Sequence, residues 1–474
     1  MKKNPPFFSF TLTLIFSCLP IISLAQWTVS HPDSEVQGNS PMVWNMSVVD
    51  SSVVWASVTR SYVSGNSNDF FRTVNGGLTW EHKVVVGAAP TDVMGNLHAL
   101  NADTAWAILW NTDNPDEYLS RVYKTADGGD TWEEKTLPFT GNISTALINI
   151  HFFNDSEGFT YAEAKDTAGW YIECYYTQDG GESWQLATVP EVPGERIFIN
   201  WGNSNYAVIG DTAWFGASNS LIYRSIDKGV NWDTLRVPFF HLRGVGSVSF
   251  KDARNGIAAT ILSDSLGGFY ALLEGLRTHD GGLTWERMPI TDSSTLNRLF
   301  RMLGMTVVPG AGDVYIAYGY RQAGLLYQQL ISYDAGETWS FMDGPYSRIR
   351  CMEFISPTVG WAGGWRYAIG NAVYPTIFKW TGPPLSRSKE VRAPEIQIDV
   401  SPNPVTDHLV VTIDAAPREL FQLHLMDLSG QLLQHIEIQG EISTSIDLHD
   451  LNEGIYLIKV FNEKGTAIGR VIKL

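Results

Sequence analysis

Six nonapeptides hold a polar side chain at one fixed place: "RTVNGGLTW", "KTADGGDTW", "YTQDGGESW", "RSIDKGVNW", "RTHDGGLTW" and "ISYDAGETW", ending at Trp80, Trp132, Trp184, Trp232, Trp285 and Trp339. A carboxylate at a fixed spacing can ligate a metal, move a proton or cap a turn. Here a Ser or Thr precedes it by two positions and one or two glycines follow. Glycine supplies the positive φ of a tight hairpin, and Asp, Asn, Ser and Thr accept backbone N–H bonds inside such turns. Asp127, Asp179, Asp227, Asp280 and Asp334, with Asn75 in the first copy, are therefore expected to cap turns. No metal ligand, catalytic group or cofactor is expected among them.

A second set has the chemistry of recognition. Of the 17 tryptophans, Trp27 and the six box residues share one lattice, and Trp55, Trp106, Trp214 and Trp361 share another. These eleven read as core, and Trp380 falls inside a strand. Trp44, Trp110, Trp170, Trp201 and Trp365 remain. Aromatic faces around a concave mouth stack sugars or grip peptides; the competing reading is that they pack loop against loop. Six arginines, Arg196, Arg243, Arg298, Arg301, Arg348 and Arg350, accompany them, either as an anion-binding mouth or as a solvated rim. His98 and His151 occupy corresponding inner positions and are expected to be satisfied core or channel histidines.

What positions these residues is a repeat. The box tryptophans are separated by 52, 52, 48, 53 and 54 residues, a period that marks a repeat architecture. Between boxes runs a second element, an apolar strand with a small-residue step: "VVWASV", "DTAWAIL", "DTAWFGA" and "TVGWAGG", with looser copies in "EGFTYAE", "NGIAATI" and "DVYIAYG". There are seven of these and six boxes. The last repeat stops at "TIFKWTG" (376–382), and Trp27 lies 53 residues before Trp80, on the lattice. A ring of seven four-stranded blades, closed by an N-terminal strand that completes the seventh blade, accounts for both counts. Each box is then the turn between strands three and four. Loops between strands two and three, and the links between blades, emerge on the opposite face. Trp110, Trp170 and Trp365 fall in such loops, Trp44 and Trp201 near links, and the arginines in links. All are expected on the face away from the boxes.

This signature resembles the Asp-box, or BNR-repeat, propellers over roughly residues 26–381. Among them the photosystem II assembly and stability-factor propeller is the nearest in pattern, being a single seven-bladed ring with the same order of elements. The resemblance implies protein binding without catalysis. A sialidase-like enzyme would show an early Phe/Tyr-Arg-Ile-Pro motif on six blades, whereas "LRVP" (235–238) is a strand end. A xyloglucanase-like enzyme needs two tandem rings. No HExxH, paired Cys–His ligands, phosphate loop or nucleophile elbow occurs, and spacing nominates no carboxylate pair.

The chain ends carry separate signals. Lys2 and Lys3 precede an apolar run from Phe7 to Leu24 interrupted by polar residues and Pro20, with small residues before Gln26. Residues 1–25 read as an export signal; an uncleaved anchor and a lipoprotein at Cys18 are the alternatives. No other segment has the make-up of a membrane span. Cys174 and Cys351 lie far apart in the repeat, so no bridge is expected. A formal net charge of −17 argues against a nucleic-acid partner, which would need a basic stripe.

"TGPPLSRSKEVR" marks a linker, placed at 382–394. Residues 395–474 alternate with period two and read as a small β-sandwich. "SPNP" (401–404), "MDLSGQLL" (426–433) and "DLNEGIYLIKV" (450–460), with the terminal Lys473-Leu474, resemble the type A C-terminal sorting domain of the type IX secretion system. A leading Tyr or Phe before Pro-Asn-Pro is here Ser401. The resemblance implies a Bacteroidetes-type bacterium. It also implies passage through the periplasm, engagement of the type IX machinery, and release or attachment at the outer surface.

The expected fold is all-β, a seven-bladed propeller with a C-terminal sandwich. The expected function is non-enzymatic binding of a glycan or protein, with Trp44, Trp110, Trp170, Trp201, Trp365, Arg243 and Arg350 as candidate ligand contacts. The alternative is a glycoside hydrolase, which would need two acids converging beneath the aromatics.

Overall fold

In the computed structural model, the residues described are 26–32, 41–59, 68–89, 91–111, 119–139, 144–166, 169–192, 205–237, 244–263, 269–288, 300–321, 326–342, 344, 347–367, 373–386, 397–414, 420–427, 431–439, 443–462 and 465–474. The expected export signal and most of the expected linker lie outside them. The chain divides into two compact units, Met1–Ser386 and Arg387–Leu474.

Among the described residues every regular element is a strand. In the first unit the strands pair in sequence order as four-stranded antiparallel groups, the first comprising Met42–Val48, Val54–Thr59, Asp69–Thr73 and Glu81–Val84. Among the described residues they form three four-stranded and two eight-stranded sheets, each of the latter joining two such groups through one residue pair, Thr145 with Leu119 and Ala271 with Met302, so that seven groups follow one another. The last, Arg348–Ser356, Val359–Tyr367 and Val373–Trp380, takes its fourth strand from Trp27–Pro32, antiparallel, with Trp27 opposite Trp380. The expected exchange between chain ends is thus present as a strand pairing.

Apolar residues tie each group to the next. Trp55 and Phe70 of the first group pack with Met94, Leu97 and Leu109 of the second, and Trp106 and Ile108 pack with Phe152 and Tyr175 of the third. Similar clusters join the groups through to the seventh, where Cys351, Trp361 and Ile377 meet Val43, Val54 and Phe71. The sequence of interfaces returns to its start, as a propeller requires.

The boxes form the turns expected of them. Thr125 Oγ1 donates to Asp127 Oδ1 and accepts from the Gly129 amide, while the Thr131 amide and hydroxyl donate to the two Asp127 oxygens, at 2.6–3.0 Å. Asp179 repeats this with Thr177, Gly181 and Ser183. Gly128 and Gly129 hold φ of 75° and 82°, the left-handed region that glycine enters at least cost. Hydrogen bonds from Thr131 to its carboxylate hold Asp127 down at about 2, and those from Ser183 do the same for Asp179. These aspartates are turn caps.

The second unit contains a three-stranded sheet (Gln397–Ser401, His408–Asp414, Ser443–Asp447) and a four-stranded one (Leu432–Gln439, Leu420–Met426, Gly454–Asn462, Gly465–Lys473). Both contribute to one core built on Leu409, Val411, Phe421, Leu423, Leu425, Ile458 and Val460. Along Leu420–Met426 burial alternates residue by residue, the period-two pattern of a strand with one buried face. Among the described residues no helix is long and apolar enough to cross a membrane. Cys174 and Cys351 are both buried free thiols.

Candidate binding surfaces

In each group the innermost strand runs toward the box end, because the turn that follows it meets the box: the Gly76 amide donates to Ser52 O and that of Gly180 to Ser156 O. Residues early in innermost strands, late in second strands, or early in third strands therefore lie at the opposite end. Trp44, Trp110, Trp170 and Trp365 all satisfy this. The strands are longer than sequence reading placed them, and each of these tryptophans is in a strand end and not in a loop. Period and turn chemistry locate strands well but locate their ends poorly.

Their environments differ. Trp110 is only 4% exposed, its Nε1 donating to Leu147 O at 2.7 Å, and its ring covers the open face of Gly95, where a Cβ would come within 2.6 Å of it. This side chain packs between groups. Trp44 is 8% exposed, with the Arg350 guanidinium 4.3 Å from its ring centre. Trp365 is half-buried and pairs in register with Arg348, whose guanidinium lies 5.3 Å from its ring and 4.9 Å from that of Tyr327. Trp170 is half-buried, with Lys165 Nζ 5.4 Å from its ring. Cation–π stacking of this kind fixes long side chains over aromatic faces. Arg301, Arg348 and Arg350 lie within innermost strands and not in links. Trp201, Arg196, Arg243 and Arg298 lie outside the described residues.

A second feature was not anticipated. Innermost strands from six groups surround a cavity of about 410 Å³ lined by Asn45, Met46, His151, Tyr206, Ser249, Met305, Cys351, Met352, Glu353 and Phe354 among others. Most of these residues stand in the later half of their strands, which puts the cavity toward the box end, where its lining residue Pro309 is exposed. Glu353 Oε2 accepts the Val48 amide at 3.1 Å. Burial pushes the Glu353 carboxyl up to about 7, with the Val48 bond opposing. Burial, then the charge of Glu353, raise the Tyr206 phenol, and an Asn149 hydrogen bond opposes them. His151 stacks near His98, ring centres 4.5 Å apart. His98 Nε2 bonds Phe152 O at 3.1 Å, and burial lowers His98 to about 4. Burial, and then the neighbouring His98, lower His151 too. His98 is thus a satisfied histidine, as expected, whereas the buried Nδ1 of His151 has no hydrogen-bond partner among the described residues. Glu353 left one signal in the sequence, an acid inside the apolar strand "IRCMEFIS". Among the described residues no cluster of three or more His, Cys, Asp or Glu is placed to hold a metal.

Fold and motifs define a β-propeller of Asp-box repeats followed by a sorting domain. Residues 399–474 match the family model for the secretion system C-terminal sorting domain, and residues 119–275 match that for the photosynthesis system II assembly factor YCF48. The chain therefore carries a YCF48-like propeller segment and a type IX secretion sorting tail, which marks it for export. No curated protein matches it. Among solved structures, YCF48 bound to a D1 peptide is 15% identical, covering 76% of this chain and 96% of its own, with a TM-score of 0.48. YCF48 from Cyanidioschyzon merolae is 14% identical, covering 75% and 99%, at 0.48. The GH74 xyloglucanase from Xanthomonas campestris is 13% identical, covering 82% of this chain and 59% of its own, at 0.47.

Proposed function

We propose that this chain is a secreted or surface-attached binding propeller, delivered through residues 395–474 and without catalytic activity. Its ligand is a glycan or a protein segment taken at the end opposite the boxes. The observation that carries this reading is the pair of cation–aromatic stacks on neighbouring groups at that end, Arg350 on Trp44 and Arg348 between Trp365 and Tyr327. Half-buried Trp365 and Tyr327 offer flat apolar faces edged with positive charge, with buried Trp44 backing Arg350, an arrangement suited to sugar rings or to a peptide carrying carboxylates. Trp170 belongs to the same end. Trp201 and Arg243 are proposed as further contacts, whereas Trp110 contributes packing. The propeller is assigned to residues 26–381 and the linker to 382–394.

The reading is tested by presenting the mature chain to a glycan array and to a library of surface-protein peptides, scoring both binding and newly formed reducing ends. Binding that weakens in Trp365→Ala and Trp170→Ala without turnover supports it. Release of reducing ends establishes a hydrolase instead. Export is tested separately: a chain lacking 395–474 accumulates in the periplasm, and its appearance outside the cell refutes delivery by the tail.

A further inference from the structure

We propose that the axial cavity near the box end is a second binding site, one that takes an alkylammonium group with Glu353 as its anionic partner. This site is separate from the aromatic end and does not depend on it.

Three features point to that ligand. First, among the described residues Glu353 has one hydrogen bond, from the Val48 amide, and no lysine, arginine or histidine pairs with it. A half-buried carboxylate on a cavity wall favours a cation arriving with its own charge, because an unpaired, poorly solvated charge is costly. Second, the acceptors around it suit an ammonium. The Tyr206 hydroxyl stands within the field of Glu353, and the His151 ring, also on the cavity wall, lies 6.2 Å from that of Tyr206. A carboxylate and a phenol oxygen can each accept from the N–H donors of an ammonium. Third, the remaining wall is Met46, Met305, Met352, Phe250 and Phe354. Thioethers and aromatic faces conform to an alkyl chain and tolerate a nearby cation. The cavity's size falls in the range used for small ligands. An anion would meet Glu353 with no cation to offset it.

The ammonium can come from a free amine or from a lysine side chain, and the test separates them. The mature chain is titrated calorimetrically with n-butylammonium chloride, with n-butanol as neutral counterpart, and with N-acetyl-lysine methylamide. The amines bind and n-butanol does not. Glu353→Gln weakens amine binding by about tenfold or more, as loss of one partner of an enclosed charge pair does. Tighter binding of the lysine amide assigns the site to a polypeptide side chain, and tighter binding of butylammonium assigns it to a free amine.

Wild-type protein supplies a check that needs no variant. Both amines stay protonated between about pH 5.5 and about pH 8.5, so affinity falls on acidification as Glu353 gains its proton. The other groups facing it do not reproduce that trend. Tyr206 and Cys351 are raised above their ordinary values, and His151 is held below its own. Protonation of His151 would fall at more acid pH. Arg350, on the same strand, stacks on Trp44, and the strands bearing Asn45, Ser249 and Thr306 present no ionisable side chain to the cavity. Equal binding of n-butanol, unchanged affinity in Glu353→Gln, or a flat pH profile overturns the proposal.

Discussion

Nε1 of Trp106 donates a 3.2 Å hydrogen bond to the carbonyl of Gly180, in the box of the following group. Trp214 makes the same bond to Gly281 O at 2.9 Å. Each tryptophan also stacks on a phenylalanine of that next group, Trp106 on Phe152 at 3.5 Å and Trp214 on Phe250 at 3.8 Å. At these two joints the second-strand tryptophan of one group locks onto the box of the next, whereas Trp55 Nε1 donates to Asn101 O and Trp361 Nε1 has no hydrogen-bond partner among the described residues. Trp106→Phe keeps a stacking ring but leaves the Gly180 carbonyl unpaired, and should cost about 1–3 kcal/mol. A shift of the urea midpoint with unchanged slope would show it; an unmoved midpoint would refute the joint.

Backbone conformation gives a prediction of opposite sign. Ala335 occupies the box position that is glycine in four other copies and holds φ of 56°. Ala335→Gly relieves that conformation and should stabilise by about 0.5–1 kcal/mol, net of the entropy glycine adds to the unfolded chain. At Gly77, φ is 80° and a Cβ would stand 2.6 Å from the Trp361 ring, so Gly77→Ala should destabilise clearly. Melting temperatures of the two variants should move apart.

Acidification tests the caps. Asp127 and Asp179 have folded values near 2 against 3.8 unfolded, so the unfolded chain binds protons first as pH falls. Their contribution is complete above the unfolded value and disappears as pH drops through about 2. Asp127→Asn combined with Asp179→Asn should flatten the acid limb of the stability curve. An unaltered limb would place the acid sensitivity elsewhere.

Glu353 has the reverse linkage. Its folded value of about 7 stands above 4.5 unfolded, so the native state holds the proton longer and stability from this group falls as pH rises between those values. Glu353→Gln should gain on the order of 1–3 kcal/mol near pH 8 and little near pH 4.5. Equal gains at both pH values would mean that the carboxyl is not perturbed.

The aromatic end separates packing from recognition. Trp110→Ala should destabilise by about 3–5 kcal/mol, as removal of a buried indole does, whereas Trp170→Ala should leave the melting temperature near wild type and affect binding alone. If Trp170→Ala proved as destabilising as Trp110→Ala, its proposed role at the ligand would be lost.

Much of this was legible in the sequence. A turn that needs Thr, Asp and two glycines announces itself locally, and Trp27 betrayed its place in the last group by falling on the period of the boxes. The difference between Trp110 and Trp170 was not legible, since both follow a second-strand motif and precede or begin a third. What separates them is Gly95, a neighbour on another strand whose missing side chain makes room for one indole. Glu353 escaped for a related reason. Its significance lies in strands from six groups turning toward one axis, and no spacing along the chain records that convergence.

The pairing of Trp27–Pro32 with Val373–Trp380 sets an order on assembly. Trp27–Pro32 is synthesised before the strand it pairs with, across about 350 residues of intervening chain, and closing so large a loop is entropically slow. Until residue 380 has emerged, the first and last groups each lack a neighbour, and the apolar faces around Trp361 and Phe71 stand open. The sorting tail follows that strand after a short linker. A secretion apparatus that engages only the finished tail would thus receive the propeller after it has become able to shut, so that the address follows the seal.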